Sequence, residues 1–245
     1  MMSIAMLSTL CWLAMNAPGT FKHPPLFEKQ AVKGSSFESK LNSRIGHFKI
    51  SGETLVSIVL DLAYEFQLPT GIEYVDHEAT TRPINLELNN ESVRGILLAI
   101  VQQVPEYEVS FSNGVVDIYV PKARGDSSSL LNKSIKNFAV SELDTGEANM
   151  ELFCALSHEV APPGVCGGNI EVGQWGPLRI TVHLENAKVY EILNAMAAQN
   201  GKAIWTVIAP PDRLSKIPVG GLWHMYPLEF PFISGILEKL RAVAH

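Results

Sequence analysis

Residues 84–103 read INLELNNESVRGILLAIVQQ, and residues 180–199 read ITVHLENAKVYEILNAMAAQ. The two stretches lie over each other without a gap at an offset of 96, and eight of the twenty positions are identical. The identities pair Ile84 with Ile180, Leu88 with Leu184, Asn90 with Asn186, Val93 with Val189, Ile96 with Ile192, Leu97 with Leu193, Ala99 with Ala195 and Gln103 with Gln199. Two unrelated amphipathic segments would share apolar spacing, but not the Asn and Gln as well. An internal repeat of this kind sets the architecture before any other feature is considered. Ile84, Leu86 and Leu88 alternate with polar residues, the period of a half-buried strand, and Ile180, Val182 and Leu184 do the same. Val93, Ile96, Leu97, Ile100, Val101 and Val104 then follow the spacing of a helix with one buried face, matched by Val189, Ile192, Leu193, Met196 and Ala197. Between strand and helix, Asn90 and Asn186 stand where an N-cap is expected.

The same grammar extends outward from both copies. Upstream of the first, Phe48-Lys-Ile50 reads as a strand, Leu55 to Phe66 as a helix and Ile72 to Val75 as a strand. Downstream, Tyr107 to Phe111, the turn dipeptide Asn113-Gly114 and Val116 to Val120 read as a hairpin. Around the second copy, Phe138 to Val140, a helix through Leu152 and Leu156, a strand near Asn169 to Val172 and a strand from Ala203 to Ile208 complete the pattern. The expected fold is α+β: two related βαββαβ modules, each with small mixed sheets packed with two helices.

Leu55, Leu62, Ala63, Gly71-Ile72, Ile84-Leu86-Leu88, Val93, Leu97 and the Asn113-Gly114 hairpin together resemble the short N-terminal domain of secretins and TonB-dependent receptors, apparently in tandem. The resemblance covers 46–122 well and 135–208 more loosely, chiefly through 180–205, so the expected modules are 46–122 and a diverged 135–213. It implies an extracytoplasmic, non-enzymatic docking or signalling module with a protein partner in the cell envelope. Only 32 residues follow position 213, too few for a ring or barrel, so the resemblance implies a free-standing pair of modules.

Composition bounds the rest. The chain has 245 residues, 47% of them hydrophobic and 18% charged, which excludes disorder over most of its length. A net charge of −6 lacks the positive field that nucleic-acid binding draws on. No charged residue precedes Lys22, and the apolar run over 4–17 is too short to span a bilayer but fits a signal peptide over 1–17. A buried helix or a misplaced start codon are the alternatives. Residues 18–45 read as a basic flexible arm, 123–134 as a Ser-rich linker and 214–245 as an apolar C-terminal tail. The expected location is periplasmic or otherwise extracytoplasmic, with no transmembrane span in the mature chain and no cofactor.

Three sets of residues are candidates for chemistry or binding. Cys154 and His158 stand four apart on one helix face, and Cys166 follows in a Pro- and Gly-rich loop. In an exported chain Cys154 and Cys166 make a possible disulfide. Unpaired thiols are a second reading, and a Cys/His-dependent hydrolase or zinc-binding protein centred on the second module is the alternative function. Glu151 and Glu159 are about 12 Å apart along a helix, too far for a close carboxylate pair. Trp223, Tyr226, Phe230 and Phe232 form a possible partner surface in the tail, or else pack across the second module. No Walker, dinucleotide or Gly-x-Ser-x-Gly motif occurs.

Overall fold

The computed structural model describes residues 36–74, 77–127, 129–160, 179–201, 203–208 and 223–227. Its first element is a short helix inside the stretch expected as a basic arm. The Ser36 hydroxyl accepts a hydrogen bond from the Ser39 N–H at 3.2 Å and caps α1 (Phe37–Leu41). Leu41 and Ile45 are buried and Phe37 packs against the core, while Lys40 Nζ donates to the Gln67 carbonyl. Residues 36–45 therefore belong to the folded unit, because three apolar side chains outweigh the basic character of the segment.

β1 (Arg44–Glu53), α2 (Leu55–Phe66), β2 (Thr70–Tyr74), the short α3 (His77–Thr81), β3 (Ile84–Ser92), α4 (Val93–Gln102), β4 (Glu108–Ser112) and β5 (Val115–Tyr119) follow in order. Then come α5 (Pro121–Arg124), a 3-10 turn at Leu130–Asn132, β6 (Ser134–Leu143), α6 (Thr145–Val160), β7 (Ile180–Lys188), α7 (Val189–Asn200), β8 (Ala203–Ile208) and β9 (Trp223–Pro227). The chain is α+β, with small mixed sheets and several helices, as the periodicities require. Asn113 and Gly114 both take positive φ, 54° and 79°, the geometry of the two-residue hairpin turn between β4 and β5. The strand expected near 169–172 lies outside the described residues.

The repeat carries into three dimensions. β1 pairs antiparallel with β3, Ile45 opposite Glu91 and Phe48 opposite Leu88. β6 pairs with β7 in the corresponding register, Ile135 opposite Ala187 and Phe138 opposite Leu184. The two first strands bury the same positions along their ten residues and both shift register near the end, at Ser51/Glu53 and at Val140/Leu143. The helix after each shift has a capping side chain at the same place. Thr54 accepts from the Ser57 N–H at 3.3 Å, and Asp144 accepts from the Glu147 N–H at 2.8 Å.

One expectation about the repeat is corrected. Asn90 and Asn186 are not N-caps; they sit at φ 51° and 50° within β3 and β7, left-handed positions that Asn tolerates better than most residues. The cap falls two residues later. Ser92 Oγ accepts from the Gly95 N–H at 3.0 Å. Its counterpart Lys188 has no side-chain acceptor to offer, and its backbone N–H donates instead to Glu191 Oε2 at 2.7 Å.

A second positive-φ pair yields a prediction. Gly52, at φ 77°, corresponds to Glu142, at φ 54°, and a non-glycine residue there costs roughly 1–2 kcal/mol. Both N–H groups are held by a side chain of the paired strand, Gly52 by Asn85 Oδ1 at 3.1 Å and Glu142 by Thr181 Oγ1 at 3.0 Å. Glu142→Gly relieves the strain and keeps that bond, but it gives up the exposed bond from the Thr181 hydroxyl to Glu142 Oε1 at 3.2 Å and loosens the unfolded chain. The net expected gain is about 0.5–1 kcal/mol, read as a higher urea midpoint with an unchanged slope.

A five-stranded sheet joins the two copies of the repeat in the order β4-β5-β2-β8-β9. β2 runs parallel to both neighbours, β5 and β8, while β4 and β9 are antiparallel to theirs. Its two faces serve different cores. Ile72, Val116, Ile118 and Ile204 face the core built from β1, α2 and α4. Val115, Ala203, Trp205 and Met225 face the core built from β6, β7, α6 and α7. The layers therefore run two-stranded sheet, helices, five-stranded sheet, helices, two-stranded sheet. The two copies flank the central sheet from opposite sides.

Candidate functional site

The far face of β2 and β5 carries Glu73 and Asp117, which alternation would leave in water. Here α7 lies over that face, and both side chains are nearly excluded from solvent, at 1% and 6% exposure. Burial of two carboxylates requires compensation. It comes from Arg124, at the end of α5 within the stretch expected as a linker, where Leu131 is also buried. Arg124 Nε donates to Glu73 Oε1, and Nη2 donates to Asp117 Oδ1 and Oδ2 at 2.9 and 3.0 Å. The guanidinium is flanked by two rings, with its carbon 3.6 Å from the Tyr190 centroid and 4.7 Å from that of Tyr119.

The network continues into α7 and β8. Asn194 Nδ2 donates to Asp117 Oδ2 at 3.0 Å, and the Trp205 indole N–H donates to Asn194 Oδ1 at 2.8 Å. Gly71 is paired with Asp117 on one side and Trp205 on the other. A side chain at Gly71 would collide with the indole, so glycine is what lets Trp205 lie flat across β2.

One cation thus serves two buried carboxylates. Burial pushes the Glu73 carboxyl up to about 7, against the pull of Arg124, with Asp117 adding to the rise. Burial also raises Asp117, opposed by Arg124 and by the Asn194 hydrogen bond. The proton that this favours near neutral pH belongs to the pair. The cluster joins β2 and β5 of the first copy, with Arg124 between the copies, to Asn194 and Trp205 of the second. Its chemistry is that of a joint.

The residues singled out by sequence fall elsewhere. Cys154, on α6, is disulfide-bonded, and its sulfur partner lies outside the described residues, as does Cys166. His158 and Glu159 share α6 with Cys154, and Glu151 is exposed there; the surroundings of the His158 and Glu159 side chains are outside what is described. Trp223 and Tyr226 enter β9, opposite Val207 and Ile204, while Phe230 and Phe232 lie outside the described residues. Among the described residues, no cluster of three His, Cys, Asp or Glu could hold a metal ion, and no helix is long and apolar enough to cross a membrane.

Sequence reasoning missed Glu73, Asp117, Arg124, Tyr190 and Asn194. A signal was present in the repeat: Asn194 replaces Leu98 and Trp205 replaces Val109, polar-capable residues where the first copy is aliphatic. No protein-family model, curated protein or solved structure matches the chain.

Proposed function

We propose that the chain is an exported, non-enzymatic protein-interaction protein, similar in plan to the docking modules of secretins and TonB-dependent receptors. One observation carries the reading. The second copy of the repeat engages the first by adding β8 in parallel to β2 and laying α7 over the sheet. The corresponding surface of the first copy, the outer edge of β4 and the Leu98 side of α4, has no strand partner among the described residues. Leu98 is 43% exposed there. β4 carries no Pro, Lys or bulge of the kind that guards an edge strand. Its outer-face residues Glu108, Ser110 and Ser112 are polar, where the β8 counterparts Ile204 and Thr206 lie buried. A single extended segment of a partner, apolar on one side and polar on the other, suits that edge better than a whole module would.

A disulfide at Cys154 accords with an oxidising compartment, and we propose Cys166 as its partner. A sulfur so engaged is neither a nucleophile nor a zinc ligand, which weighs against the hydrolase and metal-binding alternative. The test is capture from the native cell envelope with the tagged chain. A stoichiometric partner retained by wild type and lost with Leu98→Glu supports the reading. Hydrolytic turnover that vanishes in Cys154→Ala or His158→Ala would sink it.

A further inference from the structure

We propose that Glu73, Arg124 and Asp117 form a proton-operated latch between the two copies of the repeat, holding α7 and β8 on the central sheet when the cluster carries a proton and loosening them when it is lost. The charge count motivates this. Two carboxylates and one guanidinium leave a net negative charge in a buried seam once both acids ionise, and undocking α7 returns those acids to water.

Among the described residues, the groups that face the pair come from β4, β5, α7 and β8. Tyr119 shares β5 with Asp117 and donates its hydroxyl to Glu108 on β4 at 2.9 Å. From α7 come Asn194 and Tyr190, and the Tyr190 hydroxyl donates to Glu191 at 3.3 Å. Lys188 Nζ stands 5.7 Å from the Tyr190 ring. From β8, Trp205 reaches the cluster through Asn194. Among the described residues, Arg124 is the only cation bonded directly to the two acids. Glu73 on its own strand is met by the backbone of Val120 as well as by Arg124.

The sign follows from burial raising both acids. The folded seam keeps a proton that the unfolded chain gives up at lower pH, so the stabilisation is complete below about pH 4.5 and is lost as pH rises through about 7. Loss of the latch therefore builds up between about pH 4.5 and pH 7 and is complete just above neutrality.

Hydrogen exchange of the full chain, corrected for intrinsic rates, tests it. Between pH 6 and pH 8.5, protection of α7 and β8 should fall roughly tenfold more than that of β1 and β3. Glu73→Gln copies the shape of the protonated acid and keeps an acceptor for Arg124, so its protection should no longer depend on pH over that range. An infrared carbonyl band of a buried protonated carboxylic acid should be present in wild type at pH 6, absent at pH 8.5 and absent in Glu73→Gln. Equal pH dependence in wild type and Glu73→Gln overturns the latch. So does the lack of that band in wild type at pH 6, which decides the matter even if the variant does not fold.

Discussion

Arg124→Met should cost about 3–5 kcal/mol of stability near pH 8, the loss expected when one partner of a buried ionic cluster is removed. Methionine keeps the apolar length of the stem, so the loss is mainly that of charge and hydrogen bonds. Among the described residues, it leaves Glu73 and Asp117 without a cation and Asn194 as the one side-chain donor to Asp117. Both acids then titrate still higher, and folding at pH 8 must carry two unfavourable protonations or two uncompensated charges. By about pH 4, close to the ordinary values of both acids, about half of the protons are bound in the unfolded chain too, so the penalty should shrink severalfold. Urea unfolding at the two pH values reads this directly. A penalty of equal size at pH 4 and pH 8 rules out the electrostatic account and leaves only lost packing against Tyr190. A second control uses non-additivity. In a Glu73→Gln, Asp117→Asn background the same substitution should cost far less, because no bare carboxylate remains to be stranded.

The fold was legible where burial is one-sided. Ile84-Leu86-Leu88 and the Val93 to Val101 stripe have one wet face, so period alone tells strand from helix, and β3 and α4 stand where it puts them. Asn113-Gly114 was legible because two consecutive positive φ values leave few other residue choices. The joint between the copies was not legible, for a related reason. Glu73 and Asp117 look like the wet positions of ordinary half-buried strands, and nothing local announces that α7, more than seventy residues on, comes to cover them. Arg124 was hidden in the same way, as one basic residue in a polar, Ser-rich stretch. With Asn90 and Asn186 the identity was noticed but its cause was misplaced: polar residues ahead of a helix suggest a cap, whereas the backbone needs them for left-handed φ. Chemistry at Cys154 could be stated only as alternatives, since spacing cannot say whether a thiol is oxidised.

Gly71→Ala should damage the molecule at one seam and spare the rest. A Cβ at this position would stand 2.5 Å from the Trp205 indole nitrogen, nearer than real Cβ contacts allow. Relief by rotation of the indole is blocked, because the ring is fully buried and its N–H is committed to Asn194 Oδ1 at 2.8 Å. Either β2 and β8 separate or Trp205 gives up its hydrogen bond, and each choice also disturbs Asn194 and hence Asp117. Overpacking of this kind costs about 1–3 kcal/mol, and the loss of a buried hydrogen bond adds about 1 kcal/mol or more. The expected total is therefore about 2–4 kcal/mol, with Trp fluorescence shifted to the red as the indole loosens. Position decides the effect, not the residue type: an added Cβ at Gly46 meets nothing within 4 Å, so Gly46→Ala should leave Trp fluorescence unchanged. Trp205→Ala removes the atoms that collide, so combined with Gly71→Ala it should be more stable than the two single losses added together. If the double variant is merely additive, the added Cβ and the indole do not meet across β2, and the close approach of Trp205 is not what requires glycine at position 71.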